Sequence, residues 1–267
     1  MKASSLFDVS GLVTVVTGGA SGIGLAYAQA MADNGAAVTI FDLDESRLEA
    51  QARRLGAQGI RVDVTDRNAL HRAFDETVRR HGRLDVVFAN AGIGGGPGFL
   101  TLDGKRNAAR TFEALDSDYW ERIFKIDVDA LFSTLQAAAK HMKAGQGGRI
   151  IVTTSISAVK TESMVGAPYV AAKAAAAQLV RQAALELAAY NILVNAIAPG
   201  PFVTNISGGR LQDQEVQAAL ARYCPLRRLG YPDDIEGLAL FLASPASKYM
   251  TGASLTVDGG TTLGSVE

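Results

Sequence analysis

Short runs of β-branched and aliphatic residues alternate with longer stretches in which apolar residues return every three or four positions. That alternation marks βαβ units on a parallel sheet: strands covered on both faces read as continuous apolar runs, and the helices that cover them carry one apolar stripe. The pattern predicts strands at 12–17, 37–41, 60–62 and 85–89 and helices at 23–34, 45–55 and 67–81, the last begun by Asp66 as its cap. Beyond residue 90 the beat lengthens. A Gly-rich loop at 92–98 and a polar stretch to 116 lead into one long helix over 117–143, where Tyr119, Ile123, Ile126, Ala130, Leu131 and Ala137 keep helical spacing. Strands at 149–154 and 192–198 bracket a helix over 167–190. After an irregular segment at 199–209, helices at 212–222 and 233–243 precede a last strand at 254–257. The expected architecture is a single, doubly wound α/β domain over 1–267. About seven parallel strands carry a ligand crevice at their carboxyl ends.

Composition narrows the partners. Of 267 residues, 48% are hydrophobic and 20% charged, enough apolar surface for one large core. The 26 basic and 27 acidic residues nearly cancel and are scattered, so no electrostatic footprint for nucleic acid or an anionic membrane is present. No apolar run approaches a membrane span, because Lys173, Arg181 and Glu186 interrupt the Ala-rich stretch at 170–189. One cysteine, Cys224, forms no disulfide within the chain and has no metal-spaced His nearby. It reads as an inert, partly buried thiol, no metal is expected, and the chain is expected to be cytoplasmic.

The first strand runs directly into Thr17-Gly18-Gly19-Ala20-Ser21-Gly22-Ile23-Gly24, which opens the first helix. Glycines allow a tight turn and let the backbone approach a pyrophosphate, whose charge meets unpaired N–H groups and the positive end of the helix dipole. Asp42 ends the second strand, where dinucleotide sites place an acid on the adenosine ribose. That points to NAD: a 2′-phosphate about 4 Å from the carboxylate is repelled by about 4 kcal/mol at a surface-like dielectric. No Arg or Lys at Ala20, Ser21, Leu43 or Asp44 compensates. The rival reading makes Asp42 a cap for the next helix, a task open to Asp44 as well. Asp63, with Val64 beside it, ends the third strand within reach of an adenine amino group. Asn90-Ala91-Gly92 ends the fourth, where the Asn90 side chain is placed to tie neighbouring strands together.

Tyr169 and Lys173 stand four residues apart, one turn along a helix face. A nearby ammonium favours the phenolate and brings a tyrosine closer to useful acid/base chemistry at neutral pH. Ser155 closes the preceding strand and offers a hydroxyl beside that phenol. Taken with the glycine turn, Asn90-Ala91-Gly92, Asn195 to Thr204 (NAIAPGPFVT) and Thr251 to Gly260 (TGASLTVDGG), these residues resemble the short-chain dehydrogenases/reductases in order and spacing, over nearly the whole chain. The resemblance implies a Rossmann-type fold, a nicotinamide cofactor and hydride transfer between that cofactor and an alcohol or carbonyl carbon. It makes Tyr169 the group that exchanges a proton with the substrate oxygen, Ser155 the group that positions that oxygen, and Lys173 the holder of the nicotinamide ribose that also lowers the Tyr169 pKa. Pro199 and Gly200 would border the nicotinamide, with Val203 and Thr204 near its carboxamide.

Two positions depart from the family pattern. Ser155 lies 14 residues before Tyr169 and Ser157 lies 12 before it, on either side of the usual spacing; Ser155 is favoured because it sits at the strand end. Asp127 occupies the place of an Asn that supports a water in a proton relay to the lysine. Its charge is expected to pair with Lys173 and to raise the Tyr169 pKa. The expected pocket is mostly apolar: Ile93, Gly94, Ile156, Ser157, Met164, Val165, Phe202, Ile206 and Leu211. Lys160, Glu162 and Arg210 read mainly as solvated loop charges. A lid at 200–222 and, from family habit, a homotetramer through the two long helices complete the expectation. The leading function is an NAD-dependent dehydrogenase or ketoreductase for a small secondary alcohol or ketone. The rivals are a sugar, polyol or hydroxy-acid dehydrogenase, a 3-oxoacyl carrier-protein reductase, and a weakly active NAD-binding sensor.

Overall fold

The computed structural model describes residues 2–264, apart from the side chain of Ser207; Met1 and residues 265–267, the ends of the expected domain, lie outside the described residues. Seven strands form one parallel sheet: β1 (Val13–Thr17), β2 (Ala37–Asp42), β3 (Gln58–Arg61), β4 (Val86–Ala89), β5 (Gly148–Thr153), β6 (Ile192–Pro199) and β7 (Ser254–Val257). Their order is β3-β2-β1-β4-β5-β6-β7. The chain therefore winds outward from β1 in one direction and, after crossing to β4, in the other. That reversal leaves a crevice between the carboxyl ends of β1 and β4. β1 and β4 are buried along their whole length, as a doubly covered sheet requires.

After the short α1 (Ala3–Leu6), the long helices sort by the face they bury. α4 (Arg67–His81), α6 (Ala130–Ala144) and α7 (Ala167–Leu187) pack Phe74, Leu131, Leu135, Met142, Val180 and Leu187 into one core. α2 (Gly22–Asp33), α3 (Glu45–Leu55) and α9 (Glu236–Ala243) fill the other face with Tyr27, Met31, Leu48 and Leu242. α8 (Gln214–Ala221) lies in the expected lid. Asp66 caps α4 by accepting from the Ala69 N–H at 2.9 Å, and Asp44 caps α3 by accepting from the Arg47 N–H at 3.0 Å.

The long helix predicted over 117–143 is not uniform. α5 (Ser117–Phe124) passes through one π turn, Lys125–Asp129, into α6, and the Ala130 N–H donates to the Lys125 carbonyl five residues back. The extra residue in that turn changes which side chains face inward. Asp127 is buried at 2% exposure, whereas Ile126, expected on the apolar face, is only partly covered. The third strand covers Gln58–Arg61 rather than 60–62, because its pairing with Thr39–Asp42 of β2 fixes its register. Cys224 is buried, as expected. Among the described residues no helix is long and apolar enough to cross a membrane.

Candidate active site

The glycine turn joins β1 to α2 at the crevice. Asn90 holds it in place: its amide donates to the Thr17 and Gly18 carbonyls at 3.1 and 3.2 Å and accepts from the Thr153 hydroxyl at 3.0 Å. One side chain thus staples the carboxyl ends of β1, β4 and β5. Thr17 reciprocates by accepting from the backbone N–H groups of Asn90 and Ala91, both at 3.0 Å. The staple requires Gly24, since a Cβ there would lie 2.2 Å from the Gly18 oxygen and 2.5 Å from the Asn90 amide nitrogen. Asn90 is structural, in line with the expectation.

The cradle fits the pyrophosphate of a dinucleotide. Ser21, at the N-cap of α2, makes no side-chain cap, and the first turn, with Gly22 and Ile23, carries no acidic residue. The opening N–H groups are thus left for an anion. Thr204 lies over this turn: its Cγ2 would be 3.3 Å from a Cβ built on Gly22. Asp42 is half-buried and accepts from the Ala20 N–H at 3.0 Å and the Asp44 N–H at 3.1 Å, so the acid is fixed beside the turn and does not cap α3. Asp63 is exposed and accepts from the backbone N–H and hydroxyl of Thr65, at 2.9 and 2.8 Å; Val64 is partly buried beside it. Gly200 donates to the Val257 carbonyl at 2.9 Å and Val203 to that of Gly230 at 2.8 Å, so the segment after Pro199 runs along the sheet edge.

Tyr169 and Lys173 lie on α7, which Pro168 helps to start. The Lys173 ammonium is 5.2 Å from the centre of the Tyr169 ring and 2.9 Å from Asp127 Oδ1. The π turn delivers that carboxylate, whose side chain is wholly buried against a nearly buried Lys173. Its other oxygen receives the Ile93 N–H at 3.4 Å. Only a glycine fits at position 92, because a Cβ there would lie 2.6 Å from Asp127 Oδ1. Ser155 lies close enough to the Tyr169 phenol to favour its phenolate. The Ser155 oxygen accepts from the Ser157 N–H at 3.1 Å, and its hydroxyl donates to Ser157 Oγ at 3.1 Å.

The electrostatics of this cluster amend one expectation. Burial pushes the Tyr169 phenol above its ordinary value. Lys173 pulls it down, as expected, but does not outweigh burial, which the charges of Asp127 and Glu162 reinforce. Burial also pulls Lys173 down, yet attraction to Tyr169 and then to Asp127 leaves its pKa raised, so the ammonium stays charged.

Several pocket expectations change. Phe202, expected to line the pocket, is buried at 4% among core side chains and packed on Gly230, where a Cβ would lie 2.8 Å from its ring. Ile206 is 40% exposed at the lid. Lys160 does not reach the pocket, because its ammonium donates to the Thr261 carbonyl at 2.8 Å. Glu162, read as a solvated charge, accepts a short hydrogen bond from the Ser157 hydroxyl. Tyr119 donates to the Gly95 carbonyl and holds the Gly-rich loop against α7. Neither role has a signal in the sequence beyond the glycines of that loop.

Comparison with known proteins agrees with this geometry. A family model described as enoyl-(acyl carrier protein) reductase matches residues 18–262. A cis-4-hydroxycyclohexanecarboxylate dehydrogenase of Sinomonas cyclohexanicum is 37% identical, covering 94% of this chain and 96% of its own. A 7alpha-hydroxysteroid dehydrogenase of Escherichia coli K12 is 33% identical, over 97% of this chain and 98% of its own. A solved short-chain type dehydrogenase/reductase from Mycobacterium marinum superposes with a TM-score of 0.88 at 32% identity, covering 98% of this chain and 99% of that one.

Proposed function

The chain belongs to the short-chain dehydrogenases/reductases, and from that membership we propose an NAD-dependent oxidoreductase that interconverts a small secondary alcohol and its ketone. The observation that carries the reading is the Ser155–Tyr169–Lys173 cluster at the mouth of a crevice built for a dinucleotide. Asp42 supports NAD over NADP, since it brings negative charge to the turn while the neighbouring Arg61 and Arg47 are paired with Glu45 and Asp44. The names of two relatives, a hydroxycyclohexanecarboxylate and a hydroxysteroid dehydrogenase, support a ring carbinol as substrate.

A bound nicotinamide dinucleotide supplies the hydride acceptor or donor. Gly18, Ser21, Gly22, Ile23 and Gly24 would hold its pyrophosphate and Asp42 a ribose hydroxyl. Asp63, Val64, Asn90, Ala91 and Gly92 would border the adenosine side, and Pro199, Gly200, Val203 and Thr204 the nicotinamide side. In oxidation the Tyr169 phenolate takes the carbinol proton while Ser155 holds the same oxygen. Lys173 stabilises that phenolate through its fixed positive charge. The test is NADH formation from NAD over secondary alcohols at mildly alkaline pH. Tyr169→Phe should lower turnover by roughly 10²-fold or more, the usual range for losing a general acid/base. Turnover that survives the substitution refutes the assignment.

A further inference from the structure

Glu162 is the one acidic side chain hydrogen-bonded into the serine pair beside Tyr169 among the described residues, and the Lys173–Asp127 ion pair makes no use of it. The loop that carries it is rigidly placed. Ser155 caps the turn Ile156–Ala158, Lys160 is anchored to the Thr261 carbonyl, and Val165 forms an isolated bridge with Pro97. Glu162 is partly buried, and among the described residues no basic side chain lies within ion-pair distance of it. Its charge reaches the reacting phenol, which lies beyond Ser157 and Ser155, and raises its pKa.

Donor direction decides what such a group can bind. A carboxylate only accepts, so the Ser157 hydroxyl is committed to Glu162 Oε2, and the Ser155 hydroxyl in turn donates to Ser157 Oγ. The Ser157 hydrogen is thus fixed on Glu162, the Ser155 hydrogen is able to swing from Ser157 Oγ to a carbinol oxygen, and Glu162 Oε1 has no hydrogen-bond partner among the described residues. The subsite presents lone pairs and a negative charge within two hydrogen bonds of the oxygen-positioning serine. It matches a ligand hydroxyl next to the reacting carbon and repels a carboxylate placed there.

We propose that Glu162 and Ser157 form an acceptor subsite that selects substrates with a second hydroxyl on the carbon adjacent to the reacting carbinol, a vicinal diol in oxidation and an α-hydroxyketone in reduction. The proposal rests on the dehydrogenase reading and sharpens its substrate class. It is tested by kcat/KM with NAD for cyclohexane-1,2-diol, cyclohexanol and 2-hydroxycyclohexanecarboxylate in wild type and Glu162→Gln. Wild type should favour the diol over cyclohexanol by at least about tenfold, the worth of one hydrogen bond to a charged group. Glu162→Gln should lower that ratio about tenfold, chiefly through KM, and raise the relative rate on the carboxylate. An unchanged ratio overturns the subsite. If wild type turns over none of the three, the dehydrogenase reading falls, and calorimetric titration of the diol into the NADH-loaded protein decides the subsite: binding lost in Glu162→Gln supports it, and identical titrations overturn it.

Discussion

Replacing Asp127 by Asn tests the buried pair by removing one charge and one acceptor while keeping the shape. Asp127 is engaged at both oxygens: Oδ1 forms an ion pair with the Lys173 ammonium at 2.9 Å, and Oδ2 accepts from the Ile93 N–H at 3.4 Å. Asn has a single acceptor oxygen, so one of these donors must face an NH₂ group. Removing a partner from a buried ion pair typically costs about 3–5 kcal/mol. Because the Asn oxygen can still receive Lys173, the expected loss is nearer the cost of one unsatisfied buried donor, about 1–3 kcal/mol. At roughly 2–4 °C per kcal/mol for a chain of this size, the melting temperature should fall by roughly 2–12 °C. Activity carries a second sign. The Asp127 charge helps hold the Tyr169 phenol up, and alcohol oxidation needs the phenolate, whose fraction grows as pH rises through the pKa. Without that charge the pKa falls, and the acid limb of the oxidation profile moves to lower pH. Lys173 keeps its charge because its attraction to Tyr169, the larger support, remains. Thermal melting and pH profiles of kcat for wild type and Asp127→Asn read both effects. A variant that melts with wild type and keeps its pH profile refutes the account of the pair.

Other outcomes follow from neighbouring contacts. Gly24→Ala drives a Cβ into the Gly18 carbonyl and the Asn90 amide, so it should destabilise by about 1–3 kcal/mol and abolish the calorimetric signal of NAD binding; normal binding would show that the turn is not the cradle. Ser155→Ala should cost at least about tenfold in kcat/KM and more than Ser157→Ala, because Ser155 stands beside the phenol and favours its phenolate; the reverse order in steady-state kinetics moves the oxygen-positioning role to Ser157. NAD should outperform NADP by at least about tenfold in kcat/KM, the part of a repulsion of about 4 kcal/mol at about 4 Å that survives solvent screening of half-buried Asp42. Equal efficiencies would remove Asp42 from cofactor choice.

The parts of the fold written in local chemistry were legible from the sequence. Apolar runs placed the strands, and the caps Asp44 and Asp66 act where side-chain chemistry and spacing put them. The staple by Asn90 followed from its position at a strand end. What local patterning does not encode is helix phase and long-range contact. An extra residue in a helical turn leaves the apolar spacing of Ile123, Ala130 and Leu131 intact, so the inward turn of Asp127 had no local mark. Phe202 sits on a crevice segment in sequence, yet Gly230 opens space for its ring in the core. Glu162 looks like any loop charge until Ser157 is brought to it by the turn that Ser155 caps.

The π turn at Lys125–Asp129 also makes this part of the chain sensitive to length in a way it is not to side-chain type. Each residue of an α-helix advances the face by about 100°. Deleting any one residue from this turn would restore an ordinary ladder and rotate α5 relative to α6 by about that angle. The stacked Trp120 and Phe124 rings, the Tyr119 clasp on Gly95 and the carboxylate facing Lys173 would all be displaced together. Point changes at the outward positions Lys125 and Asp129 leave that phase untouched. Variation among descendants of this sequence should accordingly substitute freely at those outward positions while keeping the residue count fixed.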